Sequence, residues 1–397
     1  MKVLFITDPN IVGGATKSLV ELTDLLHDLY GVDITVCTGG YTKINVRLAD
    51  MGINSISDGH LTAMNIRRER QNSYNIIEQI KILRGMLHEV IRYRKINEQA
   101  IEKIERWVEL QNFDLIHTNS SRNDIGCILS RKYNIPHIMH IREFGIEDFD
   151  CWYLKRNYVR YLNDNVDQFV AVSDAVKSVW SKRGICLDKI KTIYNGVDGT
   201  RISRSRIIDN SNEKSFKMVI AGGIIPAKGQ YQIIEAMSVL DDKIKANVFL
   251  DIWGWGEEDY IENLKKRVKE LELNQNVIFC GIADDMGSIL HNYHVGINCS
   301  RAEGFGRVTA EYMQAGLGVI ASNCGANSEL IDDQSCGQLY KWNDIADLSA
   351  KIEKFYCDRD FLCKCAENAR VKAKKEFTKE KNAREIYSLY IKVLEER

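Results

Sequence analysis

Short apolar, β-branched runs alternate with stretches of helical spacing along nearly the whole chain, and few folds accommodate that alternation. The first cycle is VLFIT (3–7), then Gly13-Gly14, then a helical pattern. That pattern carries Leu19, Val20, Leu22, Leu25, Leu26 and Leu29, closes at Gly31, and is followed by DITVCT (33–38). Strand, glycine loop, helix, strand is how a doubly wound parallel sheet begins, with ligands expected beyond the carboxyl ends of the strands. Further strands are predicted at 114–119, 136–141, 168–173 and 191–196. A polar stretch, TRISRSRIIDNSNEKS (200–215), reads as a linker. A second α/β series starts at FKMVIAGG (216–223) and continues through strands at 246–254, 276–281, 294–300 and 318–322. The fold class is therefore α/β, with two sheets wound alike and a cleft between them as the natural site.

Composition narrows the function classes. The 54 basic and 55 acidic residues nearly cancel, so no overall field points to nucleic acid. The eleven cysteines form no C-x-x-C pair and read as structural thiols in a reducing compartment. The opening MKVLFITDP is too short for a signal peptide, and no run approaches the ~18 apolar residues of a membrane span. A cytoplasmic protein is expected, at most resting on the inner face of a membrane. One segment is different in character, a helical insertion at about 65–110. From Ile66 to Arg106 it holds ten Lys/Arg and six Glu, with Ile76, Ile77, Ile80, Leu83, Leu87 and Ile91 at helical spacing. It reads as a helix pair packed on its own domain with a solvated charged face; the sharper reading is a peripheral membrane or partner contact.

Chemistry concentrates in SRAEGFGRVTAEYMQAGLGVIAS (300–322). Gly304 and Gly306 permit a tight turn, and the helix predicted over 307–315 presents free amides and a positive dipole end, which together suit a diphosphate. Glu303 and Glu311, if the interval were wholly helical, would stand ~12 Å apart along the axis, able to take hydroxyls on either side of that diphosphate.

With that stretch the chain resembles the retaining glycosyltransferases of family 4, which adopt the GT-B fold. Gly13-Gly14, His140, Asn195-Gly196-Val197-Asp198 and Pro226-Ala227-Lys228-Gly229 match the family in order. The resemblance implies an acceptor-side domain at 1–200, rejoined by a C-terminal helix at about 378–397, and a nucleotide-sugar domain at 201–377. It implies Glu303 on the donor sugar, Glu311 on the ribose, and Lys228 on the diphosphate with the amides of Phe305, Gly306, Arg307 and Val308. Gly14, beside Gly13, would approach the phosphates, His140 would face the sugar, and Gly281, Ile282 and Ala283 would take the base. The Gly254-Trp255-Gly256 turn would line the base side. Arg142 and Glu143, just after His140, are acceptor-side candidates. Neither cofactor nor metal is implied; a UDP-sugar is the favoured co-substrate, and a glycan or lipid-linked molecule the acceptor. Asp148-Phe149-Asp150 imitates the metal motif of another transferase fold but lacks its context. A catalytically silent sugar-nucleotide-binding subunit and a GT-B epimerase are the competing functions. One departure stands out. Gly223 occupies the place of the family's usual arginine, and Arg307 either supplies the missing cation or else points to solvent or pairs with a helix acid.

Overall fold

The computed structural model describes residues 1–8, 13–66, 76–145, 148, 151–199, 215–332 and 334–396. They form two compact units, Met1–Tyr194 with Lys379–Arg397, and Asn195–Thr378. The division falls just ahead of Asn195 rather than at residue 200. Val197 belongs to the second unit because its amide donates to the Phe377 carbonyl at 3.0 Å and it bridges Thr378. The stretch read as a linker falls, but for Ser215, outside the described residues.

The first unit is built on a seven-stranded sheet ordered Asn54–Ser57, Asp33–Thr38, Lys2–Ile6, Leu115–Thr118, His137–Ile141, Gln168–Ala171, Ile190–Thr192. Every neighbouring pair is parallel, with Ile6 opposite both Cys37 and Thr118. The strands are apolar on both faces, as a sheet covered on both sides requires. Val3 and Phe5 pack with Leu19, Leu22, Ile386, Leu389 and Tyr390 on one face, while Leu4 and Ile6 pack with Ile101, Ile104 and Ile125 on the other. The helix Lys379–Glu395 thus completes the first unit's core although it ends the chain.

In the second unit the sheet has six strands, ordered Val277–Gly281, Val248–Trp253, Phe216–Ala221, Val295–Asn298, Gly318–Ser322, Gln338–Tyr340. In both sheets the strand order runs outward from the first strand in one direction and then resumes on its other side. At that reversal the crossovers leave in opposite directions, and the loops beyond the carboxyl ends part to leave a crevice.

The basic segment departs from its reading. Met64–Ile66 is a short strand antiparallel to Cys151–Tyr153, and Ile76–Trp107 is one continuous helix of 32 residues, not a pair among the described residues. Its second half docks through Tyr93, Ala100, Ile101 and Ile104, all buried, while Asn97 binds the Leu61 amide at 2.7 Å and carbonyl at 3.1 Å. Residues 81–88 of the same helix are exposed on every side.

The helix Arg307–Ala315 lies directly on the strand Val295–Asn298. A Cβ at Gly296 would stand 2.2 Å from the Tyr312 ring, whose hydroxyl accepts from the Ala221 amide at 2.8 Å. Gly296→Ala must therefore displace that helix, and overpacking of this kind costs about 2–3 kcal/mol. The expected result is a lower urea midpoint for the second unit; an unchanged midpoint would mean that the ring is not seated on the strand.

Candidate functional site

The second unit's reversal lies between Phe216–Ala221 and Val295–Asn298, so the loops following those strands should hold its site. The first loop ends in a helical turn, Pro226–Lys228, capped by Gly229 at φ +66°. A Cβ on Gly229 would meet the Cys299 carbonyl at 2.4 Å, so only glycine lets the two loops close up. The Arg301 amide then donates to the Ala227 carbonyl at 2.9 Å. This seats Lys228 Nζ 2.9 Å from Glu303 Oε2, with the glutamate side chain 13 % exposed. Burial is the largest single influence on the Glu303 carboxyl and pushes its pKa up. The Lys228 charge and hydrogen bonds from Lys228, Ser300 and Asn298 together overcome it and hold the carboxyl below the ordinary value. Beneath the pair, Asn298 Oδ1 accepts from the Ser300 amide at 3.1 Å and its Nδ2 donates to Thr309 Oγ1 at 2.9 Å.

The helix Arg307–Ala315 begins at Gly306, φ +87°, with no side-chain cap and no acidic residue in its first turn. Its leading amides therefore keep the positive end of the dipole for whatever anion approaches. Phe305 is buried edge-to-face on Phe377, 5.7 Å between centroids, and anchors the turn, while Gly304 and Val308 remain partly exposed beside it. As the expected turn at Gly304 and Gly306 and the expected helix over 307–315 imply, helix covers only the second half of the interval, so Glu303 is a loop residue and Glu311 a helix residue. Arg307 reaches Glu311 Oε1 at 3.5 Å and donates to the Gly196 carbonyl at 3.1 Å, with its side chain 11 % exposed. Of the readings offered for Arg307, pairing with a helix acid is the one its contacts follow. At Gly223 a Cβ would meet nothing within 4 Å, so the position has room for a side chain.

The proposed base-side loops sit beyond the neighbouring strands. The Gly254 amide donates to the Gly281 carbonyl at 2.7 Å, and the Ile224 amide to the Trp255 carbonyl at 2.7 Å. Trp255 and Ile282 are left 60 % and 71 % exposed, with Ala283 alongside, an apolar surface at a strand terminus.

In the first unit the reversal lies between Lys2–Ile6 and Leu115–Thr118. Gly13 and Gly14 are exposed at the start of the helix Gly14–Tyr30, which also lacks a side-chain cap and a first-turn acid. Residues 9–12 of that loop lie outside the described residues. His140 is wholly buried rather than presented at the surface, stacked on His117 at 5.5 Å. Its Nδ1 lies 3.3 Å from an Arg142 nitrogen, and its Nε2 has no partner. Burial, with the Arg142 and His117 charges adding to it, holds its pKa far below the usual histidine value, so the ring is neutral. Arg142 also donates to Asn119 Oδ1 at 2.9 Å. Glu143 accepts from Ser120 Oγ at 2.9 Å, from the Ser121 amide at 2.9 Å and from Ser121 Oγ at 2.7 Å. His140, Arg142 and Glu143 thus belong to one buried polar cluster.

That cluster has two members the sequence reading missed. Asp8, 6 % exposed, pairs with Arg122 at 3.6 Å while its Oδ1 has no partner. Burial raises its pKa to about 6, against the lowering effect of Arg122. Both residues follow strands that flank the reversal, and that position was the available signal. Behind them His60 spans Asp58 Oδ1 at 2.5 Å and the Thr7 carbonyl at 2.8 Å. Both partners accept, so the ring carries two protons and braces the chain just before Asp8. Asp148 Oδ2 accepts from the amides of Phe144, at 2.5 Å, and Gly145, a turn-closing use; residues 149 and 150 lie outside the described residues. Among the described residues no group of three His, Cys, Asp or Glu is arranged to hold a metal.

Comparisons with known proteins bear on the family and the fold. The model of the Glycosyltransferase Family 4 matches residues 12–201, and that of Glycosyl transferases group 1 matches 202–372. An uncharacterized glycosyltransferase of Methanocaldococcus jannaschii is 26 % identical over 75 % of this chain and 79 % of its own length. The N-acetyl-alpha-D-glucosaminyl L-malate synthase of Bacillus anthracis is 20 % identical over 77 % and 82 %. Among solved structures, Anabaena HepE in complex with UDP-glucose superposes with a TM-score of 0.77 at 21 % identity, covering 98 % of this chain and 99 % of that one. With two parallel-sheet Rossmann-like units and both models matched in succession, the chain belongs to the GT-B glycosyltransferases of the family-4 type.

Proposed function

We propose that this protein moves a sugar from a nucleoside-diphosphate donor, UDP-linked in the favoured reading, to an acceptor hydroxyl with retention of anomeric configuration. The observation that carries the proposal is the Lys228–Glu303 pair at 2.9 Å, set at the second unit's strand reversal beside an uncapped helix terminus. Before donor binds, each charge neutralises the other. A diphosphate has more charge to offer Lys228 than one carboxylate does, so donor binding exchanges partners: the lysine turns to phosphate and Glu303 accepts from sugar hydroxyls. HepE, crystallised with UDP-glucose, supports the donor class. Trp255 and Ile282 offer the base an apolar surface, and the Gly281 turn offers main-chain groups.

In the reaction, the bond from the anomeric carbon to the phosphate oxygen breaks while the acceptor oxygen bonds to the same face of that carbon. The acceptor proton passes to the departing phosphate. The protein needs no base for this; it positions both partners and stabilises charge on the diphosphate through Lys228 and the amides of Phe305 to Val308. In the first unit, His140 offers its unpartnered Nε2 to a sugar hydroxyl, and the cluster of Arg142, Glu143, Asp8 and Arg122 serves the acceptor. A glycan or lipid-linked acceptor in surface-glycan synthesis fits this cluster of hydroxyl-binding carboxylates and cations.

Glu303→Gln keeps the side-chain volume and removes the charge that meets the sugar near the reacting carbon. Turnover is expected to fall roughly a hundredfold with little change in donor KM. Glu311→Gln acts away from the chemistry and is expected to raise donor KM about tenfold at near-normal kcat. Steady-state UDP release separates the two, and equal effects on KM with kcat untouched would defeat the assignment. Turnover is also expected to survive exhaustive chelation, because Lys228 and the helix terminus hold the diphosphate. Activity abolished by chelation and restored by Mg²⁺ or Mn²⁺ would contradict that.

Arg307 braces Glu311, so Arg307→Leu is expected to resemble Glu311→Gln, raising donor KM about tenfold at modest cost in kcat. A phosphate-binding Arg307 would behave differently: kcat would fall, and Gly223→Arg, which the open space at that position admits, would restore part of it.

A further inference from the structure

Among the described residues, the stretch from Ile80 to Ile91 of the helix Ile76–Trp107 leaves its apolar side chains exposed, and its chemistry specifies a partner. Ile80, Leu83, Leu87 and Ile91 are 49 %, 64 %, 61 % and 57 % exposed, with Ile82 and Met86 also exposed. At 100° per residue these apolar positions fill about half of the circumference, and Lys81, Arg84, His88 and Arg92 lie on the remainder. From Ile80 to Lys95 there are five Lys/Arg and one Glu, Glu89, which lies 3.6 Å from Arg92. The stretch from Ile80 to Ile91 gains little from burial and is held in water only as the extension of the docked half.

We infer that this exposed stretch of the helix lies on a lipid surface bearing anionic headgroups, its apolar face inserted at the boundary of the acyl chains and its basic flank among the phosphates. A membrane fits better than a second copy of the chain for two physical reasons. The apolar arc is wide, as interfacial helices are, whereas a helix pair needs only a narrow seam. A second copy would also set one basic helix against another, whereas an anionic surface satisfies both the apolar face and the charge. No residue of this surface belongs to the two polar clusters, so it stands or falls apart from the sugar-transfer reading.

The test is co-sedimentation of the full chain with phosphatidylcholine vesicles made with and without phosphatidylglycerol. The wild type is expected to follow the anionic vesicles, less so as salt rises. Leu83→Glu with Leu87→Glu is expected to weaken partitioning at least about tenfold, because it charges the inserted face. Lys81→Gln with Arg84→Gln is expected to remove the preference for anionic vesicles. All four positions are exposed, so the variants should keep the wild-type thermal transition, which is checked alongside. Failure of the wild type to sediment, or sedimentation of the leucine pair like wild type, overturns the inference. So does a concentration-dependent dimer that the leucine pair dissolves without any vesicle binding.

Discussion

Where parallel strands joined by right-handed crossovers change winding direction, the loops at the carboxyl ends part and open a crevice. Both units change direction at their first strand, and both place a cation–carboxylate pair there: Lys228 with Glu303 in one, Arg122 with Asp8 in the other. The residues come from the two loops that flank the reversal, which only such a topology brings together. The surrounding contacts, from the Gly229 seat on Cys299 to the His60 brace on Thr7, fix where those loops end.

The carboxyls of the two pairs are shifted in opposite directions. Glu303 is stabilised as an anion, because a lysine at hydrogen-bond distance and two neighbouring polar side chains outweigh its burial. For Asp8 burial prevails: with Arg122 3.6 Å away and Glu143 repelling it, its carboxyl pKa is raised to about 6. A group that stays ionised suits an exchange of partners with a charged diphosphate. A group that gains a proton readily suits neutral hydroxyl ligands, since in its acid form it both donates and accepts.

Much of this was legible in the sequence. Strands such as Asp33–Thr38 and Gly318–Ser322 end where the apolar runs end, because both are bounded by turn residues and buried on both faces. Lys228, Glu303 and the glycine turn were visible because loop chemistry at a strand end has a short local signature. Asp8 and Arg122 were not, since their pairing depends on which strand lies beside the first one. The same is true of Arg307, whose contact with the Gly196 carbonyl joins residues over a hundred positions apart. The ~12 Å between Glu303 and Glu311 applied only to a wholly helical interval, and the G-F-G turn, itself legible as a turn, places Glu303 ahead of the helix.

The long basic helix carries that lesson furthest. Its apolar positions recur with the same period at both ends, so periodicity alone assigns one buried stripe along its length. Burial nevertheless switches within two turns. Ile91 is 57 % exposed, whereas Tyr93 and Asn97 are 4 % and 3 % exposed and Ile104 is wholly buried. What differs is what lies opposite. From Tyr93 onward the helix meets Asp124, Leu61 and the core around Leu4 and Ile116; before it, Ile80, Leu83, Leu87 and Ile91 are left uncovered by the described residues. An amphipathic pattern states that an apolar face must be covered, not by what, and here one helix has that requirement met by its own protein over one half only.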